Sequence, residues 1–181
     1  GHPDLYALDV LSSLLSDGRT SRLYKSMIEE KRIAVMAHAY DQIGKYPDTF
    51  TFIAAPRAPH AVAEVESAIY DEVEKLKNTP PSDWELQKIK NQLEADFIRD
   101  LNSAAGLANE IGHFEVLSDW RYINTFMDKI AQVTADDVMR VAKKYLTKSN
   151  RTVAILVKKE NNNKTKETKE NSKPEKSTVT Y

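Results

Sequence analysis

Apolar residues recur at helical spacing near the N-terminus, and a short polar stretch then interrupts them. The first helix is predicted to begin at Asp4 and to end at the turn around Gly18. A second amphipathic pattern runs through Glu30, and Thr20 or Ser21 is the expected polar cap at its start. The pattern therefore predicts two helices joined by a glycine turn.

From Ile33 onward the apolar residues alternate with their neighbours, which is typical of a β-strand. One face of this strand is expected to carry Ile33, Val35, Ala37 and Ala39. A second strand is predicted over residues 49–55. The simplest arrangement for the two strands is an antiparallel pair.

Helices are predicted to dominate the part of the chain that follows the strand pair. A single apolar stripe predicts a helix over residues 62–78. Ser82, followed three residues later by Glu85, is the pattern of a capping box and predicts the start of the next helix. A break is expected near residues 104–106 before the helical pattern continues to Leu117.

The last folded elements are predicted to be a helix and a strand. Thr134 with Asp137 is a second capping pattern that predicts a helix start. The apolar run from Val153 to Val157 predicts the final strand. Beyond it the chain is almost wholly polar, so the predicted domain covers residues 1–158, and residues 159–181 are predicted to be a disordered polar tail.

Composition and charge narrow the possible functions. The chain of 181 residues has 26 Lys and Arg against 27 Asp and Glu, so nucleic acid is not an expected partner. There is no cysteine, which excludes disulfides and thiolate zinc sites, and no apolar run is long enough to span a bilayer. The order of the predicted elements, rather than composition, predicts an α+β fold of two layers, in which several helices cover one face of a mainly antiparallel sheet.

A family resemblance centres on the turn between the first two helices. The residues that carry it are Gly18, Ser21, Arg22, Leu23 and Tyr24. This segment resembles the C-terminal, non-catalytic half of the insulinase and pitrilysin-like zinc metallopeptidases, the family that includes the mitochondrial processing peptidase. The resemblance implies a structural role for these five residues.

The resemblance extends over nearly the whole foldable chain, from about residue 2 to residue 158. The helix pattern at Glu85-Leu86 and the closing segment over residues 133–157 match family patterns in the same order. Family halves of this kind begin with an apolar strand upstream of the position of Gly1. The chain is therefore expected to lack its first strand and to be a fragment of a longer polypeptide.

The zinc site of this family is a His-x-x-Glu-His motif on a helix, and this sequence does not contain the motif. Glu110 with His113 is a single Glu-x-x-His pair, whereas a di-iron centre needs a second pair and two further glutamates. We therefore expect no catalytic residue, no metal ligand and no cofactor in this chain. The resemblance implies that zinc binds in the N-terminal half. The four histidines are scattered in sequence: His2, His38, His60 and His113.

Some family members hold the substrate backbone with an Arg and a Tyr from the non-catalytic half. The resemblance places these two positions at Ile28 and Val35, both apolar, so the substrate-binding residues of this chain are unknown. Arg22 and Tyr24 are expected to be structural, with Arg22 paired to Asp17 or to a carboxylate on a neighbouring helix. In two-subunit members the pair belongs to the subunit without zinc, so the resemblance implies the second half of the zinc-bearing subunit.

The resemblance implies that the chain forms one wall of a chamber around a peptide substrate and contacts the zinc-bearing half and a partner subunit. One alternative is a family member that has lost catalysis and serves as a structural or assembly subunit. Another is an unrelated α+β domain that acts as an independent small-molecule binder or enzyme, although the sequence has no Gly-rich phosphate loop, no nucleophile elbow and no carboxylate dyad. Two-subunit bacterial members are often exported, so the resemblance favours the bacterial periplasm or envelope.

Overall fold

The structure is a computed structural model that describes residues 2–42, 44, 46 and 48–157. The predicted disordered tail, residues 159–181, lies outside the described residues. The elements follow in the order α1 Asp4–Ser16, a π-helical segment Tyr24–Glu30, β1 Ala34–Asp41, β2 Phe50–Pro56, α2 Val62–Asn78, α3 Asp83–Leu101, α4 Ala104–Leu117, a 3-10 segment Trp120–Asn124, α5 Phe126–Gln132, α6 Ala135–Tyr145 and a 3-10 turn Lys148–Asn150.

The predicted α+β fold is confirmed, with helices packed on one face of an antiparallel strand pair. The pairing runs from Ala34 opposite Pro56 to Asp41 opposite Phe50. On the face toward the helices, β2 contributes alternate residues, namely Phe50, Phe52 and Ala54. Within the described ranges, β1 and β2 are the only strands.

A β-bulge in β1 changes which side chains point into the core. The register shifts between Ala34 and Met36, so the bulged strand contains one extra residue. The prediction that Val35 lies on the same face as Ala37 and Ala39 is therefore wrong. Val35 is 57% exposed, whereas Ala34 takes its place in the core.

The predicted final strand over residues 153–157 is not formed. These residues have no regular secondary structure, and Leu156 is 98% exposed. By its contacts the chain separates into one unit up to Arg151 and a second unit that begins at Thr152. An apolar run alone does not make a strand, because a strand also needs a hydrogen-bonded neighbour.

The core lies between α1, the strand pair and helices α2, α3 and α6. Helix α1 is central to it, since it packs against β1, α6 and α3 and its residues Val10, Leu11 and Leu15 are fully buried. The other large side chains that are fully buried come from six different segments: Leu23, Met27, Leu76, Ile89, Ile130, Val138 and Val141.

The second helix is wound differently from the prediction. It is π-helical over Tyr24–Glu30, and the Lys31 N–H donates to the Ser26 carbonyl oxygen five residues earlier at 3.0 Å. Ser21 does not cap this helix as expected. Its hydroxyl donates instead to the Gly18 carbonyl oxygen at 2.8 Å, so it stabilises the turn that precedes the helix.

Both predicted capping boxes are present. The Ser82 hydroxyl oxygen accepts from the Glu85 N–H at 3.3 Å, and the Glu85 carboxylate accepts from the Ser82 N–H at 3.2 Å. The Thr134 hydroxyl oxygen accepts from the Asp137 N–H at 3.1 Å, and the Asp137 carboxylate accepts from the Thr134 N–H at 3.1 Å. These reciprocal bonds fix the starts of α3 and α6.

Helix α4 packs more loosely than the helices of the core. The expected break before it falls at Ser103, whose hydroxyl oxygen accepts from the Gly106 N–H at 2.9 Å. The structure describes all of α4, and Phe114 is its single buried residue. Leu107 and Ile111 are exposed.

No helix in the described part of the chain has the length and apolarity needed to cross a membrane.

A buried carboxylate joins the two ends of the domain. Asp4, at the start of α1, accepts hydrogen bonds from Arg140 at 2.6 Å, Lys144 at 2.8 Å and the Tyr145 hydroxyl at 2.7 Å. Burial alone would raise the pKa of Asp4, but these bonds outweigh burial and hold its pKa well below the usual range. The network therefore ties α1 to α6.

Candidate functional site

The segment that carries the family resemblance, residues 18–24, forms a tight turn against the core. Gly18 has a φ of +74°, a left-handed conformation that residues with a side chain rarely adopt. The Ser21 N–H donates to the Gly18 carbonyl oxygen at 3.2 Å, and the Ser21 side chain is buried. The turn places Leu23 in the core and leaves Arg22 and Tyr24 half-buried.

Arg22 links this turn to α3. Its Nε donates to Glu85 Oε1 at 3.1 Å, and its Nη2 donates to Glu85 Oε2 at 3.0 Å. Of the two partners considered from the sequence, the structure selects the carboxylate on a neighbouring helix over Asp17. A bidentate pair of this kind fixes the orientation of the guanidinium as well as its position.

Glu85 serves two elements at the same time. Its carboxylate pairs with Arg22 and also caps α3 through the Ser82 N–H. Burial acts to raise the pKa of Glu85, but the bonds from Arg22 and Ser82 outweigh it and lower the pKa. A second contact, from Lys88 Nζ to the Thr20 hydroxyl, joins the same turn and helix.

The sequence predicted the capping box and an ion pair of Arg22 but not that one carboxylate makes both. The two residues are 63 positions apart, and no local pattern connects them. Only the packing of the turn against α3 brings them together.

The two positions that the resemblance assigns to substrate holding lie in different environments. Ile28 is in the π-helical segment and packs against the core, whereas Val35 is exposed at the bulge of β1. Neither side chain has an atom that can form a hydrogen bond. That these are the family's substrate-holding positions stays a prediction.

Among the described residues, no three His, Cys, Asp or Glu side chains converge to hold a metal ion. Glu110 and His113 do lie together, one turn apart on α4. They line an open cavity of about 440 Å³, which is also lined by Asn109, Phe114 and Phe126. The Glu-x-x-His pair therefore faces a cavity rather than further metal ligands.

The fold and the turn together fit one class of protein, the half-domains of zinc metallopeptidases. Residues 1–93 match the family described as the peptidase M16 inactive domain. The match includes the turn over residues 18–24 and Glu85, which anchors it. The chain belongs to this family.

Two curated relatives and one solved structure show how far the similarity extends. Zinc protease PqqE of Helicobacter pylori is 31% identical over 156 residues, which are 86% of this chain and 35% of that protein. Cytochrome b-c1 complex subunit 2 of Mus musculus mitochondria is 27% identical over 81% of this chain and 34% of that protein. A crystal structure of a protease from Helicobacter pylori matches with a TM-score of 0.79 and 30% identity, over 82% of this chain and 36% of that one. The chain thus spans about a third of the length of the curated relatives it matches.

Proposed function

We propose that the chain is the non-catalytic C-terminal domain of a zinc-dependent endopeptidase. The match to the peptidase M16 inactive domain carries this proposal, and a relative across 86% of the chain is named a zinc protease. In the proposal, the N-terminal half of the same polypeptide binds the zinc. This chain contributes no metal ligand and acts by shaping the space in which the peptide lies.

The outer face of the strand pair is the surface that we assign to the wall of the peptide chamber. This outer face consists of Met36, His38, Tyr40 and their partners across the pair, Thr51, Ile53 and Ala55. The helices cover the opposite face. Met36, Tyr40 and Ile53 are all exposed, so an extended peptide has apolar side chains to contact there.

We further propose that this domain belongs to the zinc-bearing subunit and that a partner subunit supplies the substrate-holding Arg and Tyr. The support is the apolar character of Ile28 and Val35, which cannot hydrogen-bond a peptide backbone through their side chains. In this arrangement the domain docks both to the zinc-bearing half and to the partner subunit.

Zinc analysis and peptide hydrolysis test the proposal directly. The 181-residue chain is expected neither to retain stoichiometric zinc after dialysis nor to hydrolyse an unfolded peptide. The full-length polypeptide, mixed with its partner subunit, is expected to do both. Stoichiometric zinc or hydrolysis by the isolated chain, with its folded state confirmed by circular dichroism, would contradict the proposal.

Cross-linking tests the assigned wall. The chain has no cysteine, so Ile53→Cys, in a full-length protein from which any cysteine outside this chain has been replaced, places one photoreactive label on the outer face. An extended peptide substrate is expected to be captured there, whereas a label at Glu94→Cys, which is exposed on α3, should capture little. Equal capture at both positions would contradict the proposal that the outer face of the strand pair is the wall of the peptide chamber.

The second candidate function is a catalytically inactive assembly subunit of the same family. The similarity to cytochrome b-c1 complex subunit 2 favours it, since that relative is named as a component of a complex. The full-length polypeptide decides between the two candidates. An upstream domain with the His-x-x-Glu-His motif supports the peptidase, and a homologous upstream domain without the motif supports the assembly subunit.

A further inference from the structure

The cavity beside α4 combines a negative charge with aromatic walls. Glu110, Asn109 and His113 line it from α4, and the rings of Phe114 and Phe126 complete it. The two phenylalanine rings are 5.5 Å apart between centroids, and the rings of His113 and Phe114 are 5.7 Å apart in an edge-on arrangement. The volume of about 440 Å³ is sufficient for a long side chain.

The aromatic wall is held from behind by other rings. Phe126 contacts Tyr6 at 5.8 Å and Phe97 at 5.9 Å between ring centroids. Phe114 is the one buried residue of α4. The rings are therefore fixed by packing before any ligand arrives, which reduces the entropy lost on binding.

Glu110 has no cation beside it in the part of the chain that the structure describes. None of the hydrogen bonds or ion pairs found there involves its carboxylate, and none of the residues that line the cavity is Lys or Arg. Most of the acidic residues nearest to it in sequence do have partners. Asp96 pairs with Arg99, and Glu115 accepts from the Trp120 N–H.

We propose that this cavity binds the guanidinium group of an arginine side chain from a peptide or protein. A carboxylate can accept two parallel N–H bonds from a guanidinium, and the planar group also stacks on aromatic rings. The amide oxygen of Asn109 offers a further acceptor. An anion would be repelled by Glu110, and an apolar group would leave that carboxylate desolvated without a partner.

A guanidinium also stacks on an aromatic ring within this chain. The Arg151 guanidinium lies 3.9 Å from the centroid of the Tyr70 ring, and the Tyr70 hydroxyl bonds to Glu66. Tyr70 and Glu66 both lie on α2, so this ring has a guanidinium on its face and a carboxylate bonded to its hydroxyl. At the cavity the rings of Phe114 and Phe126 and the carboxylate of Glu110 come from this chain, and we infer that a second molecule supplies the arginine. The inference does not depend on the proposed peptidase role.

Titration of the 181-residue chain with Nα-acetyl-arginine amide, followed by the backbone amide resonances of residues 109–114 and 126, tests the proposal. Saturable shifts with a Kd of roughly 1–10 mM are expected for this single side chain. Nα-acetyl-citrulline amide has nearly the same shape without the charge, and it should shift these resonances at least about tenfold more weakly. Equal responses to the two probes, or no saturable shift with the arginine probe, would overturn the proposal.

Two matched substitutions separate the cavity from the general charge of the chain. Glu110→Gln should weaken binding of the arginine probe by about tenfold or more, because it removes the one carboxylate among the described residues that line the cavity. Glu94→Gln removes an exposed charge from α3, outside the cavity walls, and should leave binding unchanged. An equal loss of probe binding in both variants would mean that the probe is attracted by the general charge of the chain, and it would contradict the proposal. If Glu110→Gln does not fold, the comparison of arginine with citrulline on the unmodified chain still decides.

Discussion

Helices α1 and α4 are nearly equal in length, with 13 and 14 residues, but their environments differ sharply. Eight residues of α1 are buried, whereas α4 buries Phe114 alone. Both helices are rich in apolar residues, so composition does not explain the difference. Helix α1 packs against β1, α6, α3 and α5, while α4 packs mainly against α3 and the 3-10 segment that follows it and reaches α5 only through the rings of Phe114 and Phe126. The number of long-range partners, rather than a helix's own sequence, decides how much of it is buried.

A pair of leucine substitutions should show this difference most strongly. Leu11→Ala, in the centre of α1, is expected to lower the free energy of unfolding by about 3 kcal/mol, because it leaves a cavity in close-packed surroundings. Leu107→Ala, on the exposed side of α4, should lower it by less than about 1 kcal/mol. Urea denaturation followed by circular dichroism measures both. Similar losses would mean that α4 contributes to the core as much as α1 does.

Ion pairs should show the same difference between buried and exposed positions. Asp4→Asn leaves Arg140 and Lys144 without their shared carboxylate and is expected to lower the free energy of unfolding by about 2 kcal/mol at neutral pH. Asp96→Asn, which breaks an exposed pair with Arg99 on α3, should cost less than about 0.5 kcal/mol.

The pH dependence gives a second measurement of Asp4. Because the pKa of Asp4 is lower in the folded chain than in the unfolded one, its contribution is present at neutral pH and is lost as the pH falls below about 4. Denaturation curves between neutral and acidic pH should therefore show a shallower acid loss of stability in Asp4→Asn than in the original chain. Parallel pH profiles would rule out this role of Asp4.

Local patterns predicted the elements whose causes are local. The glycine turn at Gly18 and the two capping boxes follow from residues within a few positions of each other, and all three are present. The bulge at Val35 and the missing strand at Val153–Val157 depend instead on a neighbouring strand. No spacing within a single segment carries that information.

The same distinction applies to the candidate site. The sequence indicated that Arg22 pairs with a carboxylate, but only packing identifies it as Glu85. The lone Glu110 and His113 pair was visible in the sequence, whereas its aromatic wall was not, because Phe126 follows Glu110 by 16 positions and lies on a different helix. Chemistry formed by distant residues becomes visible only in the folded chain.

The charged carboxylate of Asp9 in α1 is unfavourable in the folded chain, and replacing it should stabilise the domain. Burial, together with the nearby charges of Asp41 and Asp17, raises the pKa of Asp9 to about 7. The unfolded chain loses this proton near pH 4, so stability falls as the pH rises from about 4 to about 7. Asp9→Asn should therefore increase the free energy of unfolding by about 2 kcal/mol at pH 8 and change it little at pH 4. A variant that is destabilised equally at both pH values would contradict this account.

The smallest expected effects on stability come from replacing the two serines that cap α3 and α4. Ser82 caps α3, which packs into the core, and Ser103 caps α4, which does not. Ser82→Ala should lower the global free energy of unfolding by about 1 kcal/mol, because α3 unfolds together with the core. Ser103→Ala removes a similar bond from a helix with few long-range contacts, so the loss should appear as local opening of α4. Hydrogen exchange should then show faster exchange of the α4 amides alone, with the urea midpoint unchanged; a lowered midpoint would mean that α4 and the core unfold as one cooperative unit.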